Sequence, residues 1–128
     1  MKTETFSQLD KVIHEKGRMA IMSSLSSNPD LSFKELKTLL QMTDGNLSVH
    51  IRTLQQAGYV AVSKSFLANR PHTSYRLTRE GQSAFKAYIE LLAQIVEWNQ
   101  DRDFFETTRK PSLVKLSLTF YFVLQSYL

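Results

Sequence analysis

The stretch TDGNLSVHIRTLQQ, Thr43 to Gln56, gathers side chains that can read chemistry at an edge. Advanced by about 100° per residue, as in a helix, Leu47, Ile51 and Leu54 fall on one side, flanked by His50. Gly45, Val49, Arg52 and Gln56 fall opposite, with Asn46, Ser48 and Thr53 beside them. Arginine, glutamine and asparagine can each present paired hydrogen-bonding atoms to a base edge, and valine can meet a thymine methyl. The remaining outer residues are small, which lets a helix sink into a groove. Gly45 runs against helix propensity by roughly 1 kcal/mol relative to alanine. In the first turn it would leave backbone N–H groups open to a phosphate at the positive end of the helix dipole. The alternative is an Asp-Gly turn residue just outside the helix.

Charge supports an anionic partner. The chain has 128 residues and a formal charge of +4. From Thr43 to Arg79 the basic residues are Arg52, Lys64, Arg70, Arg76 and Arg79, and the acid is Asp44. That segment carries the whole net charge, because basic and acidic residues balance elsewhere. A confined excess of this kind is an electrostatic footprint; the plainer reading is a solvated basic face. Arg70, beside Pro71, is placed to enter a minor groove or hold a phosphate, with Lys64, Arg76 and Arg79 on flanking phosphates.

Other chemistry finds little support. There is no cysteine, hence no disulfide or thiolate metal site. His14, His50 and His72 lie far apart, so no metal is expected. No GxSxG, HExxH or phosphate loop occurs, and neither catalysis nor a cofactor is expected.

The elements that must position these residues follow from periodicity and punctuation. One domain is expected from the length. Phe6, Leu9, Val12 and Ile13, then Met19, Ala20, Met22 and Leu25, predict two short helices or one broken near Lys16–Gly17. Ser26–Asp30, SSNPD, is a turn. Ser32 and Glu35 form a capping box before a helix with Phe33, Leu36, Leu39 and Leu40 as its buried stripe. Thr43 or Asp44 caps the next helix, which ends at Gly58. Two helices so closely joined make a helix-turn-helix, about 32–58. Val60, Val62 and Phe66 alternate with Ala61, Ser63 and Ser65; LANRPH turns; Tyr75 and Leu77 share a face. The result is a hairpin with a basic loop, about 60–78. Thr78 caps a helix, about 79–99, whose apolar residues cover well over half its circumference. A second subunit is the simplest cover for the surplus.

The tail, 101–128, alternates apolar and polar from Val114 to Leu124, as a strand would, yet Leu113, Leu116, Phe120, Val123 and Tyr127 would also share one helix side. It is too short and polar for a comfortable membrane span, and it is expected to be covered either by a partner subunit, as in oligomerisation, or by the domain itself. MKTETFSQLDKV has no apolar core of a secretory signal, and a cytoplasmic location is expected.

MTDGNLSVHIRTLQQAGYV resembles the pattern "LTDGNLS-H-R-L---GYV", and KSFLANRPHTSYRLTREG the basic stretch "RP-T-Y-LT--G", of MarR/ArsR-type winged-helix transcriptional regulators, in particular their small single-domain MarR-like group. The likeness runs from about Leu9 to Trp98. It implies a mainly α fold with a small β-hairpin: a winged-helix domain over about 1–100 with a C-terminal dimerisation helix. It also implies a homodimer on double-stranded DNA, with the second helix of the motif in the major groove and the wing on the minor groove or backbone. Carried over, it assigns Asn46, Ser48, Val49, Arg52 and Thr53 to the groove and Arg70 to the wing. The cap, the outer face and the basic hairpin add Thr43, Gly45 and Gln56 on the helix and Lys64, His72 and Arg76 on the wing as expected DNA contacts. Phe85, Tyr88, Ile89, Leu92, Ile95 and Val96 fall to the dimer. The competing expectation is a winged helix used for protein contacts without DNA. The sequence names no effector.

Overall fold

The computed structural model describes the backbone of residues 3–107 and the side chains of residues 4–97. They divide into two compact units, Asp10–Phe85 and a second built from the residues up to Leu9 together with those from Lys86 on. The expectations for the tail beyond Thr107 lie outside the described residues.

Helix α1 spans Thr3–Ser7 and α2 spans Lys16–Ser27. The break between them is earlier and longer than the expected one near Lys16–Gly17. Asp10 explains it. One of its carboxylate oxygens accepts from the backbone N–H of Val12 (2.8 Å) and of Ile13 (3.3 Å), a local alternative that competes with the helix. The other accepts from the Tyr59 hydroxyl. Val12 and Ile13 therefore sit in turns, with Ile13 fully buried. Glu15, extended, then caps α2 by accepting from Arg18 N at 2.8 Å.

The Ser26–Asp30 turn leads into a short strand that periodicity did not indicate, β1 (Leu31–Ser32). Helix α3 (Phe33–Leu40) follows. Ser32 Oγ accepts from Glu35 N at 3.1 Å, the expected cap, while the Glu35 carboxylate accepts from the Ser32 hydroxyl at 3.1 Å, where a capping box uses the backbone N–H of Ser32. The expected buried stripe is narrower. Leu36 is fully buried and Phe33 and Leu40 are half-buried, while Leu39 is 56% exposed. At helical spacing the first three share an arc of about 60°, and Leu39 lies beyond it.

Helix α4 (Asp44–Gln56) begins at Thr43, whose Oγ1 accepts from Asn46 N at 3.2 Å. It stops at Gly58, where φ is +82°. Tyr59 N donates to Leu54 O (2.9 Å) and Gly58 N to Gln55 O (3.0 Å), the paired bonds of a Schellman stop.

The hairpin strands are β2 (Val60–Leu67) and β3 (Arg70–Leu77), joined antiparallel, with β1 on the far side of β3. The expected loop is tighter than LANRPH. Ala68 (φ 52°) and Asn69 (φ 63°) alone make the turn, the two-residue form that matches strand twist. Pro71 belongs to β3, opposite Phe66. Rungs alternate in an antiparallel ladder. With Leu67 and Arg70 closing the turn, Pro71 falls on a rung that uses no N–H bond toward β2. On its other side β3 meets β1 only at Ser74 and Tyr75.

Helix α5 (Arg79–Thr107) runs past the expected end near 99. Thr78 Oγ1 accepts from Gly81 N at 2.9 Å and donates to Gly58 O at 2.6 Å, so one threonine caps α5 and ties it to the stop of α4. Within the Asp10–Phe85 unit, Ile13, Ile21, Met22, Leu25, Leu36, Leu47, Ile51, Leu54, Val60, Leu77 and Phe85 are buried. In the other unit Leu9, Tyr88 and Ile95 are buried. Among the described residues no helix is long and apolar enough to cross a membrane.

Candidate nucleic-acid interface

The core fixes which side of α4 faces out. Leu47, Ile51 and Leu54 are buried, and burying three such side chains stabilises the helix in place by roughly 1.5–3 kcal/mol each. Thr43, Gly45, Asn46, Ser48, Val49, Arg52 and Gln56 are then all exposed, with Val49 at 57%. Thr53 is half-buried, and its hydroxyl donates to Val49 O at 3.0 Å. That bond leaves its methyl and an acceptor lone pair for any further contact.

Gly45 lies inside the helix, not in a turn before it. A Cβ built there meets no described atom within 4 Å, and its φ is not positive. Neither crowding nor backbone conformation within the chain calls for glycine. The only acid of the basic segment, Asp44, is held by Lys37 from α3, Nζ to Oδ1 2.8 Å. Both are well exposed, so this pair contributes at most about 1 kcal/mol, but it offsets a negative charge at the helix start.

His50 is part-buried, its Nδ1 3.5 Å from Glu15 Oε2 and 3.5 Å from Arg18 Nη1. Burial pushes the Glu15 carboxyl up, but hydrogen bonds from the backbone of Gly17 and Arg18, together with the neighbouring His50 and Arg18 side chains, hold it below its ordinary value. Gly17 is buried against the His50 ring. These contacts seat α4 on α2 and take His50 out of the outer face.

On the hairpin, Arg70 occupies the last rung, opposite Leu67, and is exposed. Lys64 is exposed opposite Thr73, and His72 is half-buried opposite Ser65. Arg76 stands apart from them. Its Nη2 donates to both carboxylate oxygens of Asp30 (2.7 and 2.9 Å) and its Nε to Oδ1 (2.9 Å). It braces β3 against the Ser26–Asp30 turn. Arg79 is exposed in the first turn of α5.

Two hairpin residues escaped the sequence reading. Phe66, expected on the alternating face with Val60 and Val62, is 77% exposed, and Leu67 is 65% exposed. The usable signal was their position directly before the turn, where strands outrun the core. The residues assigned to the dimer also divide. Phe85, Tyr88 and Ile95 are buried within the chain, while Ile89, Leu92 and Val96 are half-buried. At helical spacing the latter three share one arc. Among the described residues no group of three His, Asp or Glu side chains could hold a metal ion.

Residues 18–96 match the sequence profile of the winged helix DNA-binding domain. The uncharacterized protein MJ0432 of Methanocaldococcus jannaschii is 34% identical over 85 residues, which cover 66% of this chain and 92% of that one. The structure of a transcriptional regulator homologue from Pyrococcus horikoshii is 28% identical, with TM-score 0.68, over 74% of this chain and 96% of that one. A MarR protein of Peptoclostridium difficile shares the fold at TM-score 0.55 and 21% identity, over 88% of this chain and 72% of that one.

Proposed function

We propose that this chain, which belongs to the winged helix DNA-binding domain family, is a sequence-specific regulator that binds duplex DNA as a homodimer. The unit that carries recognition is the helix-turn-helix of α3 and α4 with the β2–β3 wing. Helix α4 enters the major groove, where Asn46, Arg52 and Gln56 reach base edges and Val49 reaches a thymine methyl. Arg70 and Lys64 hold the minor groove or backbone beside it. Ile89, Leu92 and Val96 on α5 face the second subunit. Two copies then present recognition helices about one turn of DNA apart, to a pseudo-palindromic site. Regulation follows from occupancy of that site.

The observation that carries this reading is the open space around Gly45 on a helix whose outer side is exposed. Folding of the chain does not explain the glycine there, whereas close approach of a phosphate to bare backbone N–H groups does. The test is titration of the full chain against genomic duplex fragments at several salt concentrations. Specific binding that weakens steeply with salt is expected, and absence of salt-sensitive binding to any duplex would remove the reading. Sedimentation of the free chain and of its complex tests the dimer, with monomer in both as the contradicting result.

A further inference from the structure

We propose that the apolar end of the wing, Phe66 and Leu67, is a wedge that enters the minor groove, unstacks a base step and bends the bound duplex. This rests on the DNA-binding reading above and extends it from holding DNA to deforming it.

Four observations converge on it. First, Phe66 and Leu67 are the most exposed of the large hydrophobic residues that stand out at the described surface, at 77% and 65%. Both lie beyond the buried base of the hairpin, so folding does not account for them. Second, the tip is narrow. The turn is two residues, and Ala68 holds φ 52°, a conformation that is unfavourable for a residue with a Cβ by roughly 1–2 kcal/mol. Third, the register sorts the tip into two sides. Phe66 faces Pro71 across the strands, and Leu67 faces Arg70, so paired residues share a face. One side is wholly apolar, and the other sets a cation beside an apolar group. Fourth, the stretch from Val60 to Arg79 contains no Asp or Glu, and Asp30, whose carboxylate meets Arg76, does so beside the base of the hairpin and away from the tip.

Cations and apolar groups without acids fit a polyanion with an apolar interior, which is the chemistry of a DNA groove. The dimensions add a constraint. The strands of a ribbon lie about 5 Å apart before side chains are counted, and the minor groove is about 6 Å wide. Entry therefore requires the groove to widen. An inserted apolar side chain does this by opening a step toward the major groove. Pyrimidine–purine steps open most readily, so the wing would select them without hydrogen-bonding to their bases.

The test uses the full chain on a duplex it binds, with bend angle read by end-to-end energy transfer and unstacking read by a fluorescent purine analogue at the step under the wing. The unsubstituted chain is expected to bend the duplex by roughly 20–90° and to raise the analogue's fluorescence. Phe66→Ala with Leu67→Ala should lose at least half the bend and the fluorescence rise, with an unchanged salt slope, since no phosphate contact is removed. Phe66→Leu with Leu67→Met should keep both, which separates loss of the wedge from loss of the fold. Binding without a bend, or an equal bend in the alanine variant, would overturn the wedge and leave DNA binding standing. A change of oligomeric state in the alanine variant with the bend intact would assign the tip to protein contact instead. Failure of the unsubstituted chain to bind any duplex would overturn both.

Discussion

Helix α4 and the hairpin that follows it dispose of their apolar residues in opposite ways. On α4 the large apolar groups turn inward, Leu47, Ile51 and Leu54, and the outer side is slim. The hairpin is apolar at both ends: Val60 and Leu77 pair at a buried base, and Phe66 and Leu67 stand exposed at the tip. On the proposed reading the slim side of the helix lets DNA come close, and the tip is what touches it. A helix side is cleared by omission, as at Gly45, whereas a wing tip is armed by apolar side chains that folding leaves unused.

The sharpest way to separate the two sides of α4 is to damage each in turn. Leu54→Ala, at a fully buried position, should destabilise the fold by about 2–5 kcal/mol, visible as a large drop in thermal midpoint with DNA binding lost alongside. Arg52→Ala, on the exposed side, should leave the midpoint nearly unchanged and relax preference at one base position by about 1–3 kcal/mol. If Arg52→Ala unfolded the chain, the assignment of sides would fail.

A smaller effect tests the joint behind α4. The hydrogen bond to Asp10, with burial second, pushes the Tyr59 hydroxyl up to about 12. Because the folded value lies above the ordinary 10, this stabilisation is present below pH 10 and is lost as pH rises toward 12. Tyr59→Phe should cost about 1 kcal/mol at neutral pH, and its unfolding midpoint should converge on that of the unsubstituted chain across that window. A constant gap through pH 12 would contradict the role given to the hydroxyl. The smallest effect belongs to the wing. Arg70→Ala should weaken all duplexes alike and reduce the salt slope by about 1, while an Arg70→Ala loss confined to one sequence would move Arg70 from the backbone to a base.

The helix-turn-helix was legible because its boundaries are written in local chemistry. Ser32 with Glu35, Thr43 and Gly58 each satisfy backbone groups within a few residues of themselves. The outer side of α4 was legible for the same reason: once the buried trio was found, rotation fixed the rest. The break after Ser7 was not, because Asp10 competes with the helix while also accepting from Tyr59, 49 residues away. Strand β1 was not, because two residues carry no period. Alternation put Phe66 on one face with Val60 and Val62, but period two says nothing about how far along the ribbon the core extends, and exposure rises from 4% at Val60 through 39% at Val62 to 77% at Phe66. Arg76 read as one more wing cation until Asp30 was brought to it by β3.

Gly45→Ala probes the central claim most directly, because folding and binding should respond with opposite signs. The added methyl meets no described atom and sits on helical backbone, so thermal stability should rise, by up to about 1 kcal/mol, while affinity for a bound duplex falls. Unchanged or tighter DNA binding by a stabilised Gly45→Ala chain would contradict the claim that the start of α4 is left bare for a phosphate to approach.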